Sequence, residues 1–106
     1  MWKVKNVDLQ MTEGDWGVEL PITFNGITLG AQDSIKLTIK TAKNGEEIVT
    51  KDFSDIAGNT INLELDEADS AKLPVGVYCY LIDWYQAGSF LCNLVESASF
   101  KVVDKA

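Results

Sequence analysis

Histidine and arginine are absent from this 106-residue chain, and proline and cysteine occur only twice each. Without imidazole, the usual general base and the commonest transition-metal ligand are missing, so any catalysis would rest on carboxylates, lysine, tyrosine or cysteine. With nine lysines against sixteen acids and a net charge of −7, the chain also lacks the clustered cations that displace counterions from phosphates or hold an anionic membrane surface. Neither nucleic acid nor membrane is an expected partner. Long apolar runs are lacking too. Met1-Trp2-Lys3-Val4-Lys5 leads into nothing resembling a signal peptide, and no later run approaches a membrane span, so a soluble product made in the cytoplasm is expected.

What is present is ordinary globular material, 46% hydrophobic and 24% charged, which is too apolar for a disordered chain. The length suits a single domain over residues 1–106 with one core. Its acids are dispersed rather than gathered in a tail, as on a solvated surface.

The apolar residues recur at every second position. Trp16, Val18, Leu20, Ile22 and Phe24 alternate with Gly17, Glu19, Pro21 and Thr23, which predicts a half-buried strand with all five large side chains inward. Pro21 cannot donate to a ladder, so this strand belongs at a sheet edge or carries a bulge. Ile35-Leu37-Ile39 forms a second such strand, and Glu46 to Phe53 its hairpin partner. A three-residue loop, Lys43-Asn44-Gly45 with Gly45 left-handed, pairs Ile39 with Val49 and Ile35 with Phe53; a two-residue turn would expose Val49 and Phe53. Ile61-Leu63-Leu65 is a further strand. Asp66 then reads as the N-cap of one helical turn, with Asp69 at the third helical position and Pro74 and Gly76 ending it.

Tyr78, Tyr80, Ile82 and Trp84 share the inward face of the next strand, and Gln86 to Ser89 turn it into Phe90–Val95. Ala98, Phe100 and Val102 mark a last strand. At the N-terminus, Trp2 and Val4 lie on one parity and Val7, Leu9 and Met11 on the other, a switch that fits a bulge or a crossing between sheets. Together these segments predict an all-β antiparallel sandwich of about eight strands with one short helical turn near 66–72.

No group of residues assembles a catalytic, cofactor or metal site. Asp52 and Asp55 read as turn acids, and Asp66, Glu67 and Asp69 as capping and solvation residues. Spacing gives them no substrate cleft, and they lack the alternating ligands and central glycine of a calcium loop. Regular pairing across Ala87-Gly88 would match position 83 with 92 and 79 with 96. Cys79 and Cys92 would then stand roughly 13 Å apart, beyond the about 7 Å that a disulfide allows. Both are expected as free packing residues. Trp2, Trp84 and Tyr85 could serve as sugar-stacking platforms, but parity assigns Trp84 and Trp16 to the core and leaves Tyr85 and Trp2.

One set of motifs resembles a known family. Gly14-Asp15 precedes the Trp16–Phe24 strand, an acidic half-turn follows Leu65, Leu73, Gly76, Tyr78, Tyr80 and Ile82 follow in "Leu-x-x-Gly-x-Tyr-x-Tyr-x-Ile" spacing, and Phe100 and Val102 close the chain. This arrangement resembles the immunoglobulin-like β-sandwich domain of phage tail and baseplate proteins, notably the N-terminal domain of the baseplate upper protein family. Leu81 stands where the family has Asp, and Ala98 where it often has Gly. The family's domain is usually followed by a longer C-terminal region, so the resemblance implies a stand-alone or truncated version. It also implies a non-enzymatic phage or prophage component that packs against copies of itself and other tail proteins, resident in a virion or phage-like particle. The alternative is a small surface module that recognises carbohydrate or peptide.

Overall fold

The computed structural model describes residues 8–17, 19–24, 26–42, 45–54, 56 and 58–104. Its elements are β1 (Leu9–Thr12), β2 (Glu19–Thr23), β3 (Asp33–Lys40), β4 (Glu47–Phe53), β5 (Thr60–Glu64), α1 (Glu67–Ala71), β6 (Gly76–Gln86) and β7 (Ser89–Val103). They form an all-β sandwich. The larger sheet has the order β1-β7-β6-β3-β4 and the smaller one pairs β2 with β5. Every pairing is antiparallel except β1 with β7. The expected strands at Phe90–Val95 and Ala98–Val102 run on as one strand, β7.

The order β7-β6-β3-β4 matches the G-F-C-C′ sheet of variable-type immunoglobulin domains, and β2-β5 matches the B-E pair of the opposing sheet. A tyrosine corner supports the same assignment. Tyr78, at the start of β6, donates its hydroxyl proton to the Pro74 carbonyl at 2.5 Å, tying the strand to the corner that follows α1. Where antibody domains place a disulfide cysteine two residues later, this chain has Tyr80. It is buried, and its ring meets Phe100 edge-on with centroids 6.5 Å apart.

The core follows the alternation read from the sequence. Ile35, Leu37 and Ile39 on β3 stand opposite Trp84, Ile82 and Tyr80 on β6, and Ile61, Leu63 and Leu65 face them from the smaller sheet. On β2 the expectation fails in part. Phe24 is buried and Ile22 half-buried, but Leu20 is 40% and Trp16 54% exposed, and Val18 lies outside the described residues. The reason is tertiary. Trp16 and Leu20 line an open groove with Leu9, Met11 and Phe100 of the larger sheet, and the unfilled space between them leaves both part-exposed.

The β3–β4 register is as expected, Ile39 with Val49 and Ile35 with Phe53, but the extra residue lies elsewhere. Lys40 pairs with Glu47, so the bulge sits in β4 at Ile48 instead of in the loop. Gly45 is not left-handed. The Gly45 amide donates to the Ala42 carbonyl at 2.9 Å, and a Cβ at position 45 would run into Thr41 Oγ1 and lie 2.8 Å from the Ala42 nitrogen. Close approach of backbone, not dihedral freedom, requires glycine there.

The β6–β7 hairpin also departs from regular pairing. Its two-residue turn at Ala87 (φ 51°) and Gly88 (φ 83°) is the one expected, but register shifts farther along move Cys92 opposite Trp84 and Cys79 opposite Ser99. The extra residues lie in β7, where Leu94 and Val95 are consecutive and both buried. A strictly alternating strand would expose one of them. Both cysteines are free and half-buried.

Gly45→Ala is expected to lower unfolding stability by about 1–3 kcal/mol through overpacking. Gly76→Ala, where a Cβ would meet only ordinary contacts near 3.8 Å, should leave it within about 1 kcal/mol of the parent. Urea denaturation of the two variants beside the parent checks this. Tyr78→Phe, which removes only the hydroxyl bound to Pro74, should cost about 0.5–1.5 kcal/mol with the fold retained by circular dichroism.

Candidate interaction surface

The turn between β1 and β2 holds a large aromatic ring out of the core. The Asp15 amide donates to the Thr12 carbonyl at 3.0 Å, and the Asp15 carboxylate accepts in return from the Thr12 amide at 3.3 Å. Gly14 closes this turn in the left-handed region, at φ 88°. Two residues later the Gly17 amide donates to the Leu65 carbonyl at 2.8 Å, which fixes the chain to the end of β5. Trp16 is therefore pinned on both sides by backbone bonds while its indole projects outward.

Two depressions meet at that indole. On one side is an apolar groove of ≈ 210 Å³ whose walls include Leu9, Met11, Trp16, Leu20, Leu63 and Phe100. On the other is a more polar pocket of ≈ 350 Å³ formed by Glu13, Trp16, Glu67, Ser70, Leu73 and Pro74. Glu13 approaches the tyrosine corner closely enough that, after burial, its negative charge is the second cause pushing the Tyr78 hydroxyl above its ordinary value. The Tyr80 hydroxyl, deeper, is pushed up to about 12, mainly by burial and secondarily by the charge of Asp8.

The acids of the half-turn serve the fold. Asp66 accepts from the Asp69 amide at 2.8 Å and Asp69 accepts from the Asp66 amide at 3.1 Å, a reciprocal capping box around α1. Asp69 also pairs with Lys51, which extends from the core-facing row of β4 and clips the larger sheet to the α1 corner. Burial alone would raise the Asp69 carboxyl, but Lys51 and the bonds from Asp66 outweigh it and hold it below 3.8. Glu67 is exposed and lines the polar pocket.

A second exposed region lies at the tip of the β6–β7 hairpin. Phe90 and Leu91 are exposed, and Phe90 meets Tyr85 edge-on at 5.7 Å. A buried carboxylate holds this tip to the loop before β3. Asp33, 7% exposed, accepts from the Gly30 amide at 2.7 Å, Trp84 Nε1 at 3.0 Å and Gln86 Nε2 at 3.3 Å, and the Ala87 amide donates to the Gln32 carbonyl at 2.8 Å. Trp84 is accordingly half-buried, its body against the core and its polar edge on Asp33. On the outer sheet face, burial pushes the Asp83 carboxyl up, while Asn93, whose amide donates to it, and Lys36 act against that rise.

The residues singled out in the sequence do not converge. Asp52 is exposed on β4 opposite Lys36, the two cysteines sit across from Ser99 and Trp84, and Tyr85 packs on Phe90. Trp2 and Asp55 lie outside the described residues. Trp16, which alternation assigned to the core, instead lines both depressions. For Trp16 a signal existed: glycines at positions 14 and 17 bracket it, which marks a turn more than a strand.

Asp33 has a carboxyl held below its ordinary 3.8 chiefly by the Gly30 amide and then by Trp84. Because its folded value is depressed, the stability it contributes is present above pH 3.8 and is lost as pH falls through the lower folded value. Urea midpoints measured from pH 6 to pH 3 should fall more steeply for the parent than for Asp33→Asn at the acid end, and Asp33→Asn should be the less stable at pH 6. Parallel pH profiles would contradict this role.

Compared with known proteins, the chain matches no family model and no curated protein.

Proposed function

We propose that this domain is a non-enzymatic structural or adaptor module that acts through protein–protein contacts, as a component of a phage-like tail or baseplate. The observation that carries the contact reading is the Trp16 corner: a rigidly held, half-exposed indole between an apolar groove and an acidic pocket. Large aromatics in such positions are the residues on which interfaces concentrate their binding energy. The exposed Phe90 and Leu91 at the opposite hairpin supply a second apolar patch. Among the described residues β4 ends the larger sheet with an unpaired edge, which offers backbone groups for strand addition. Placement in a tail rests on the resemblance of the Gly14-Asp15, Leu73–Ile82 and Phe100–Val102 motifs. The surface-module alternative draws on the same Trp16 indole, which a sugar could stack against.

Light scattering across a concentration series, alone and with the products of the neighbouring reading frames, tests the reading. Self-association or a stable complex that Trp16→Ala weakens is the expected outcome. A strict monomer under every condition, or saturable glycan-array binding without any protein complex, would replace the adaptor reading with the recognition-module one.

A further inference from the structure

The chain carries a projecting apolar tip at one end and an apolar groove at the other. The groove, ≈ 210 Å³ between β1 and β2, is lined by the part-exposed Trp16 and Leu20 and the buried Leu63, Leu65 and Phe100. It exceeds the roughly 150 Å³ that is enough to take up a benzene ring. The tip is the β6–β7 hairpin, where Phe90 is 55% and Leu91 47% exposed. It is braced from behind: Phe90 meets Tyr85 edge-on, Trp84 and Gln86 donate to the Asp33 carboxylate, and the Ala87 amide donates to the Gln32 carbonyl. Side chains held this way lose little freedom on binding, which suits them to anchor a contact.

Position and charge select the occupant of the groove. Phe100 in the groove pairs with Tyr78 on β6, and Phe90 at the tip pairs with Tyr85. Tyr78 and Tyr85 stand roughly 23 Å apart at strand rise, so a molecule's own tip does not reach its own groove. Among the described residues the charged lining of the groove is Asp15 and Glu19. A copy of net charge −7 is repelled there wherever it presents further acids. Residues 84–95, which contain the tip, carry no charged side chain. The tip thus enters the groove without setting carboxylate against carboxylate. We infer that the domain associates head to tail with a second copy of itself, the Phe90–Leu91 tip of one molecule seated in the Trp16–Leu20 groove of the next. Such a contact uses two different surfaces, so every molecule added leaves one tip and one groove free, and association runs on into a chain or closes into a ring. The inference rests on the adaptor reading and deepens it by naming the partner.

Sedimentation velocity of the purified chain over about 10 μM to 1 mM tests it, a range set by the weak affinity that one ring and one aliphatic side chain per contact supply. The expected weight-average mass climbs past that of a dimer, and climbs further when salt is raised from about 50 to 500 mM, because screening removes the repulsion between acidic copies. Phe90→Asp or Leu91→Asp at the tip, and Leu20→Glu or Trp16→Ser at the groove, should each leave a monomer whose circular dichroism matches the parent; two variants per surface guard against one that unfolds. A tip variant keeps its groove and a groove variant keeps its tip. Phe90→Asp mixed with Leu20→Glu should therefore associate again and stop at a one-to-one dimer. A mixture that stays monomeric overturns the inference. Oligomers that persist in both groove variants mean tip-to-tip pairing, and oligomers that persist in both tip variants mean pairing through the groove or the β4 edge; either result overturns the head-to-tail contact and leaves the adaptor reading standing. A parent that is monomeric over the whole range overturns it as well. A complex with the products of the neighbouring reading frames would then give the groove to another protein, and no complex at all would remove the adaptor reading too.

Discussion

The pairing of β3 with β6 is the constraint on which the rest of this structure depends. It runs from Asp33 opposite Gln86 to Lys40 opposite Cys79 without a register shift, alone among the long pairings of the larger sheet. Because side chains alternate along a strand, one uninterrupted register commits Ile35, Leu37 and Ile39 and their partners Trp84, Ile82 and Tyr80 to one face. The same register brings Asp33 beneath Trp84 and Gln86, so the loop before β3 and the tip of the β6–β7 hairpin are joined as its consequence. The flanking strands take up the irregularity. Bulges in β4 and β7 let those strands bend while Val49, Leu94, Val95, Phe100 and Val102 stay buried.

The smaller sheet is bound to this frame by a few specific links. Tyr78 ties β6 to the corner after α1, the capping box gives that corner its shape, and Lys51 reaches Asp69 from the opposite sheet. Tyr78 and Lys51 thus both fasten strands of the larger sheet to the α1 corner that follows β5. At the β2 end the two layers leave an open groove, and there the Thr12–Gly17 turn presents Trp16. Exposed aromatic surface at that corner follows from the geometry of the layers and is not an isolated irregularity.

Much of the fold was legible because its rows of side chains follow a period of two. Ile35-Leu37-Ile39, Ile61-Leu63-Leu65 and Tyr78-Tyr80-Ile82 face the core as their alternation requires, and the capping residues Asp66 and Asp69 announced the helical turn. The β3–β4 register was legible too, since a one-residue slip would have exposed Val49 and Phe53. The place of the bulge was not, because the requirement for one extra residue can be met in the loop or in the strand. The shifted partners of Cys79 and Cys92 were hidden for the same reason: regular counting back from Ala87-Gly88 has no term for residues inserted in β7.

The sequence by itself determined which residues alternate, where the chain turns, how the half-turn is capped, and that no histidine or arginine chemistry is available to it. Those properties depend on neighbours along the chain or on composition. Only the tertiary structure decided that Trp16 and Leu20 lie outside, that Gly45 is needed for close approach, and that Ser70 is buried without a partner beside Glu13 and Trp16. Exposure and satisfaction depend on what a second layer covers, and that layer comes from segments far apart in the chain. Alternation assigns a side chain to a face, and the packing of sheets decides whether that face is a core or a surface.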